Sequence, residues 1–367
     1  MGNSGLTGVA VPPPAWAGFR PMRVAATNTE SRHVRSLLLV NPDGTLPPEW
    51  IAGQSITVRV PAGPGGTPLV RNYSLCNEPG AGGYRIGVKR EAEGSVSRYM
   101  HDHLSSGDVI DVAAPRGSFC LRDNQKPIVL VSAGVGVTPV LSMLHHLVKT
   151  QQDRAVWWLH VARSSDEHPF AEETRRLLSQ IPSSRTEIIY SRPAVTDRIG
   201  IDYDRRGHLD AEAIAELQPP CDGHAYLCGP QAFMDDVSAA LKNYGLDPDQ
   251  IHTETFGARS AITPGIADTT TVTPHLPEGP AGPGPIVQFA RSGMSAPWNP
   301  SYGSVLEFAE ACNIPTRWSC RTGVCHTCET GVLAGEVSYD LEPLEPPAPG
   351  SILLCVCKPI EPLVLDL

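Results

Sequence analysis

Between residues 21 and 122 the apolar positions come in short alternating runs, such as Ser55-Ile-Thr-Val-Arg-Val60 and Tyr84-Arg-Ile-Gly-Val88, separated by turn formers. Alternation with a period of two predicts short strands and an all-β domain. From Lys126 the pattern changes. Continuous apolar runs predict buried strands at Ile128–Ser132, Ala155–Val161, Glu187–Tyr190 and Ala225–Cys228. Between them, helical periodicity covers 139–150, 170–180 and 231–244. Buried strands alternating with helices predict an α/β domain around a parallel sheet.

Two Pro/Gly-rich stretches divide the chain. Residues 1–20 read as a loose leader and 258–284 as a linker, a tether of about 27 residues. The expected organisation is therefore a leader, a β-rich domain over 21–122, an α/β domain over 123–257, the linker, and a separate module over 285–367.

The module carries the most specific motif. Cys320, Cys325 and Cys328 are spaced C-x4-C-x2-C, and Cys355 follows in the apolar run Ser351-Ile-Leu-Leu-Cys355. This is the plant-type spacing for a [2Fe–2S] cluster held by four thiolates, which moves single electrons at roughly −400 mV. Gly323 permits the loop to bend, and Cys355 is expected to arrive from a strand. Zinc usually repeats its C-x2-C pair, and here the second pair would be Cys355-Val-Cys357. Rieske ligation needs two histidines, and His326 lacks a second. Cys76, Cys120, Cys221 and Cys312 read as small buried residues, and Cys357 as turned away from the ligand side.

Charge and length narrow the function class. The 367 residues carry a net charge of −10. Residues 286–367 hold four cations against nine acids. That balance argues against nucleic acid and for a redox partner with a basic docking patch, with plain solubility as the alternative. No apolar run approaches the ~18 residues of a membrane span, and no export signal is evident. The expected location is the cytoplasm.

Two nucleotide signals precede the linker. Arg71, Tyr73 and Ser74 close a strand, Val88-Lys89 closes the next, and Gly94, Val96 and Ser97 open a helix expected to start at Ser97 with that serine as its cap. Glycine and free N–H groups at a helix start suit a diphosphate. Then strand Ile128–Ser132 runs into Ala-Gly134-Val-Gly136-Val-Thr138-Pro139, a phosphate-approach turn with Pro139 expected at the first helical position. Cys228-Gly229-Pro230 closes another strand, at the edge where ligands of open α/β sheets bind.

These motifs in order, with Glu254-Thr-Phe256-Gly at the end, resemble the reductase module of flavohaemoglobins within the ferredoxin–NADP⁺ reductase superfamily. The C-terminal module resembles plant-type ferredoxins, and the whole order is similar to reductase components of Rieske oxygenases, which implies an antiparallel β-barrel flavin domain, an α/β Rossmann-like nicotinamide domain and a β-grasp ferredoxin domain. The resemblance implies that Arg71, Tyr73 and Ser74 hold the isoalloxazine and phosphate, while Val88, Lys89, Gly94, Val96 and Ser97 line the rest of the flavin. It places Gly134, Gly136 and Thr138 on the nicotinamide diphosphate, Cys228, Gly229 and Pro230 near the nicotinamide, and Phe256 over the flavin face. Ser74, Cys228 and Phe256 are the residues implied at the hydride step. The implied flavin is FAD, with FMN open, and the implied donor NADH, with NADPH open because Arg163 and Arg192 follow strands where a 2′-phosphate could be met. Electrons would pass one at a time from flavin to cluster and on to a terminal oxygenase of Rieske or other non-haem iron type. A cytochrome P450 or membrane desaturase would accept the same reductase, and a redox-sensing protein is the reading from another class.

Overall fold

The computed structural model describes residues 3–4, 14–16, 18–62, 66, 69–92, 94–117, 119–151, 153–255, 273–318 and 320–367. The chain separates into two units, Met1–Phe256 and Gly257–Leu367. A two-residue strand, β1 (Asn3–Ser4), comes first and joins the second sheet described below.

The barrel is built from β2 (Phe19–Ser31), β3 (Val34–Val40), β4 (Ser55–Val60), β5 (Leu69–Ser74), β6 (Tyr84–Lys89) and β7 (Val109–Arg116), with α1 (Ser95–His103) between the last two. The six strands pair antiparallel in the order β5-β4-β7-β2-β3-β6, and a bridge from Leu75 to Ile86 closes the ends. Closure removes the free edges that an open sheet would expose. Inward side chains, among them Met22, Leu37, Leu39, Ile56, Val58, Tyr84 and Ile86, fill the interior with Val96 and Met100 of α1.

The second sheet uses β8 (Ile128–Ala133), α2 (Val137–Thr150), β9 (Val156–Ala162), α3 (Ala171–Leu178), β10 (Ser184–Tyr190), β11 (Arg205–Arg206), α4 (Ala211–Leu217), β12 (His224–Gly229), α5 (Gln231–Tyr244) and β13 (Ile251–Thr255). All seven strands run parallel in the order β1-β13-β12-β8-β9-β10-β11. Period-two side chains explain why the runs are continuously apolar. Leu130, Trp158, Ile188 and Tyr226 face one core with α2 and α3, while Val131, Leu159, Ile189 and Leu227 face the other with α4 and α5. The order reverses between β8 and β12, so a crevice opens beyond their C-terminal ends.

The C-terminal unit is a mixed sheet wrapped on one helix. Its elements are β14 (Ile286–Phe289), β15 (Met294–Pro297), α6 (Val305–Ala311), β16 (Glu329–Ala334), β17 (Val337–Tyr339), β18 (Ser351–Leu353), β19 (Cys357–Pro359) and β20 (Leu363–Leu365). The main sheet runs β15-β14-β20-β16-β18, with β17-β19 as a separate ribbon. Leu306, Phe308 and Ala309 of α6 pack on Val287, Phe289, Leu353 and Leu363. A capping box begins α6: Ser304 accepts from the Glu307 N–H, and Glu307 reaches back to the Gly303 N–H at 2.7 Å.

Several expectations need correction. Part of the stretch read as linker lies against this unit: the His275 N–H donates to the Cys312 carbonyl and Asn313 to that of Thr273, both at 3.0 Å. A Cβ at Gly282 would lie 2.1 Å from the Trp298 carbonyl oxygen. Helix α1 starts at Ser95 with Gly94 as its cap, so Ser97 is inside the first turn. Pro139 is the third residue of α2 rather than the first, still within the turn whose N–H groups lack intrahelical acceptors. Cys355 sits on a single 3₁₀ turn, Leu354–Val356, between β18 and β19. Cys221 is exposed.

Candidate functional site

The crevice of the first unit collects most of the expected residues. β5 ends with Arg71 exposed, Tyr73 half-buried and Ser74 buried. The Arg71 guanidinium folds back to the Val70 carbonyl at 2.8 Å. Burial pushes the Tyr73 phenol well up. On the next strand Val88 is buried with its carbonyl 2.8 Å from His101 Nε2, while Lys89 pairs with Glu91 at 2.8 Å.

Gly94 opens α1 with no side chain capping it. The N–H groups of that first turn therefore have no intrahelical acceptor, the arrangement that receives an anion. Ser97 Oγ accepts the Glu91 N–H and donates to the Gly94 carbonyl, both at 3.2 Å. A Cβ at Gly94 would lie 2.4 Å from that oxygen, so only glycine leaves the turn intact. Val96 is buried beneath it.

Across the crevice, β8 passes through a 3₁₀ turn, Gly134–Gly136, into α2. Gly134 takes φ +54°, which glycine adopts freely. A Cβ on Gly136 would lie 2.2 Å from the Cys228 carbonyl oxygen, so the two strand ends that the sequence separates by about ninety residues touch here. Thr138 donates to the Val135 carbonyl at 3.0 Å, and its methyl would meet a Cβ at Gly87 of β6. Gly229 packs on Phe233, and Pro230 caps α5. Phe256 lies outside the described residues.

One residue, Glu254, stands in the sequence only within the closing motif, with no role given to it there. Glu254 pairs with Cys228 across β12 and β13, and its Oε2 accepts from Ser74 Oγ at 3.2 Å. Burial pushes its carboxyl up to about 8, only partly offset by the serine. Burial and then the Glu254 charge push the Cys228 thiol well up, so it is a neutral thiol. The signal was the position of an acid inside a strand that pairs with a buried one. Ser74, Cys228 and Glu254 thus form a polar trio joining barrel to sheet, the first two buried and Glu254 half-buried. Arg163, at the end of β9, is exposed and pairs loosely with Glu167 at 3.4 Å; Arg192 follows β10, its N–H on the Arg163 carbonyl.

In the second unit the Cys320 thiol lies beside those of Cys325 and Cys355, and the Cys355 thiol beside that of Cys328. Cys320 Sγ also accepts from the N–H groups of Thr322 and Cys325 at 3.4 Å. Positive φ at Arg321, Gly323 and His326 curls the loop so that its amides face sulfur. Among the described residues no three His, Cys, Asp or Glu side chains gather as the ligands of a single ion. Four neighbouring cysteine sulfurs are the soft donor set that a [2Fe–2S] cluster takes. Cys357 starts β19, buried, with its thiol toward the Leu354 carbonyl.

Three family models match: an oxidoreductase FAD-binding domain over 21–120, an oxidoreductase NAD-binding domain over 130–239, and a 2Fe-2S iron–sulfur cluster binding domain over 291–359. The flavohemoprotein of Bordetella pertussis is 38% identical over 247 residues, 66% of this chain and 61% of that protein. The chain thus spans about three fifths of the length of such curated relatives. The flavohem-like FAD/NAD binding domain of nitric oxide dioxygenase from Vibrio cholerae is 36% identical, with a TM-score of 0.59, covering 65% of this chain and 99% of that one. Phthalate dioxygenase reductase is 28% identical, with a TM-score of 0.56, and the match covers 95% of this chain and 98% of that one. An intact self-sufficient cytochrome P450 monooxygenase is 25% identical, with a TM-score of 0.58, over 95% of this chain and 41% of that one.

Proposed function

Since this chain belongs to the ferredoxin-reductase superfamily, as a flavohemoprotein-like FAD/NAD module joined to a 2Fe-2S domain, we propose that it takes electrons from NADH and passes them singly to a separate oxygenase. The observation that carries this reading is two sets of groups in one chain: the Ser74–Cys228–Glu254 trio where barrel meets sheet, and four neighbouring cysteine thiols in the C-terminal unit. A binding or sensing protein needs only the second. The likeness to phthalate dioxygenase reductase over nearly its whole length favours a non-haem iron oxygenase as acceptor. The P450 neighbour, with a comparable domain set over 95% of this chain, supports a P450 acceptor as the second reading.

When bound, the flavin supplies the conversion of a hydride into single electrons, and the cluster carries them. The residues that would hold the flavin are Arg71, Tyr73 and Ser74 at its ring and phosphate, and Val88, Lys89, Gly94, Val96 and Ser97 along its length. Gly134, Gly136 and Thr138 would receive the dinucleotide diphosphate, with Cys228, Gly229 and Pro230 beside the reacting ring. Cys320, Cys325, Cys328 and Cys355 would hold the cluster. Glu254 retains a proton at neutral pH, so the trio presents hydrogen bonds without adding a buried charge. That neutrality lowers the desolvation cost of covering the trio with an apolar ring.

Cys355→Ser tests the scheme. NADH should still bleach the flavin at the wild-type rate, while reduction of a one-electron acceptor through the module falls at least tenfold. Acceptor reduction at an undiminished rate would refute the electron path, and supplying candidate oxygenase components to the wild type separates the two acceptor readings.

A further inference from the structure

Ligation of a cluster by four cysteines does not account for the charged assembly beside the first of them. Arg321 follows Cys320 directly and holds φ +52°, a conformation that non-glycine residues adopt at a cost. Its side chain is 9% exposed. The guanidinium lies 3.8 Å from the centroid of the Trp318 ring and forms an ion pair with Glu310 of α6. Burial pushes the Glu310 carboxyl up, and Arg321 pulls it back. A cation serving only solubility would extend into water, as long charged side chains ordinarily do. This one is folded under an aromatic ring, next to the loop whose amides address the Cys320 sulfur.

We propose that Arg321 and Glu310, clamped by the Trp318 ring, set the reduction potential of the cluster held by the four cysteines, the guanidinium raising it and the carboxylate lowering it. The inference rests on the electron-transfer reading above. Its physical basis is elementary. Reduction adds one negative charge to the cluster, so a fixed cation nearby favours the reduced form and a fixed anion disfavours it. Charges withdrawn from solvent are screened less than surface charges, so their effect survives physiological salt. Net charge and solvent exposure are among the levers that spread the potentials of such clusters. The cation is carried by the residue that follows one ligand and holds the carboxylate of a helix residue, 30% exposed, while the ring fixes the guanidinium.

The test is a redox titration of full-length protein, followed by electron paramagnetic resonance of the reduced cluster at low temperature, with iron content measured on each sample. Arg321→Gln should disfavour reduction and Glu310→Gln should favour it, each changing the reduced-to-oxidised ratio at a fixed potential by about threefold to tenfold; tenfold corresponds to 59 mV for one electron. Arg321→Lys, which keeps the charge, should lie close to the wild type. A pair that only anchors the loop predicts something else: both neutral variants open the loop to water and shift together. Shifts of the same sign, or none in either variant with iron retained, would overturn the proposal. If Arg321→Gln loses its iron, Glu310→Gln decides alone, an upward shift supporting and any other result overturning. Wild-type protein that takes up no iron under anaerobic reconstitution would instead bring down the functional reading, and this inference with it, which is a distinguishable outcome.

Discussion

Gly136 has no room for a side chain, because the Cys228 carbonyl occupies the place a Cβ would take. Backbone meets backbone there, and neither can rotate away. Gly136→Ala should therefore destabilise the first unit by about 2–4 kcal/mol and weaken dinucleotide binding, read by thermal unfolding and by titration with NADH. Glu254 gives a pH-dependent prediction at the same scale. Its carboxyl is raised to about 8 in the folded protein, so folding favours the protonated form. The stability this contributes is complete below the unfolded value near 4.5 and is lost as pH rises through about 8. Glu254→Gln should flatten the decline of melting temperature between pH 5 and 9. An unchanged pH slope would show that the carboxylate is solvated in solution. Neither effect follows from residue type alone, since a glycine after a strand and a glutamate in a strand are both ordinary.

At the scale of elements, β8, β9 and β10 are tied by a buried polar chain through the nicotinamide sheet. Ser132 meets His160 Nδ1 at 2.8 Å, His160 stacks on His168 with centroids 4.5 Å apart, and His168 Nδ1 meets the Tyr190 hydroxyl at 3.0 Å. Burial holds His168 down at about 3 and His160 well below its ordinary value. Both fold as neutral rings, so their stability is present above pH 6.5 and declines as pH falls from there toward 3. His168→Gln should shift the acid unfolding midpoint downward, at some cost in stability at neutral pH from lost packing, and circular dichroism against pH would show it. The α6 cap is a second element-level device. Ser304→Ala should cost about 1 kcal/mol, visible in the unfolding of the C-terminal unit.

At the scale of the molecule, barrel and sheet share one unit because polar ties cross between them. Arg85 of β6 pairs with Glu173 of α3 at 2.7 Å, and His145 of α2 meets the same carboxylate at 2.7 Å. These donors hold the Glu173 carboxyl down at about 2 despite burial. The Gly53 N–H donates to Ser142 Oγ at 2.8 Å, and the Arg122 N–H to the Tyr226 hydroxyl at 2.9 Å. Removing Arg85 leaves a half-buried carboxylate facing only histidine. Arg85→Ala should lower stability by about 2 kcal/mol and slow hydride delivery without altering the iron content, checked by melting and by single-turnover flavin reduction. Among the described residues no helix is long and apolar enough to cross a membrane.

Much of this was legible in the chain. The shift from period two to buried runs marks the change from barrel to parallel sheet, because side-chain direction follows directly from backbone geometry. Cysteine spacing names the cluster, because a loop of fixed length can present thiols only in a few ways. Local rules failed where two candidates competed: Ser97 looked like the cap of α1, yet Gly94 took the extended conformation and Ser97 was used inside the turn to hold Glu91. Only tertiary structure brought Ser74 to Glu254, set Gly136 against Cys228, laid Thr273–Gly284 toward the C-terminal unit, and folded Arg321 beneath Trp318. Those contacts join residues distant in sequence or depend on what excludes water from them. Burial, and with it the protonation state of each polar group, belongs to the packed chain rather than to any segment of it.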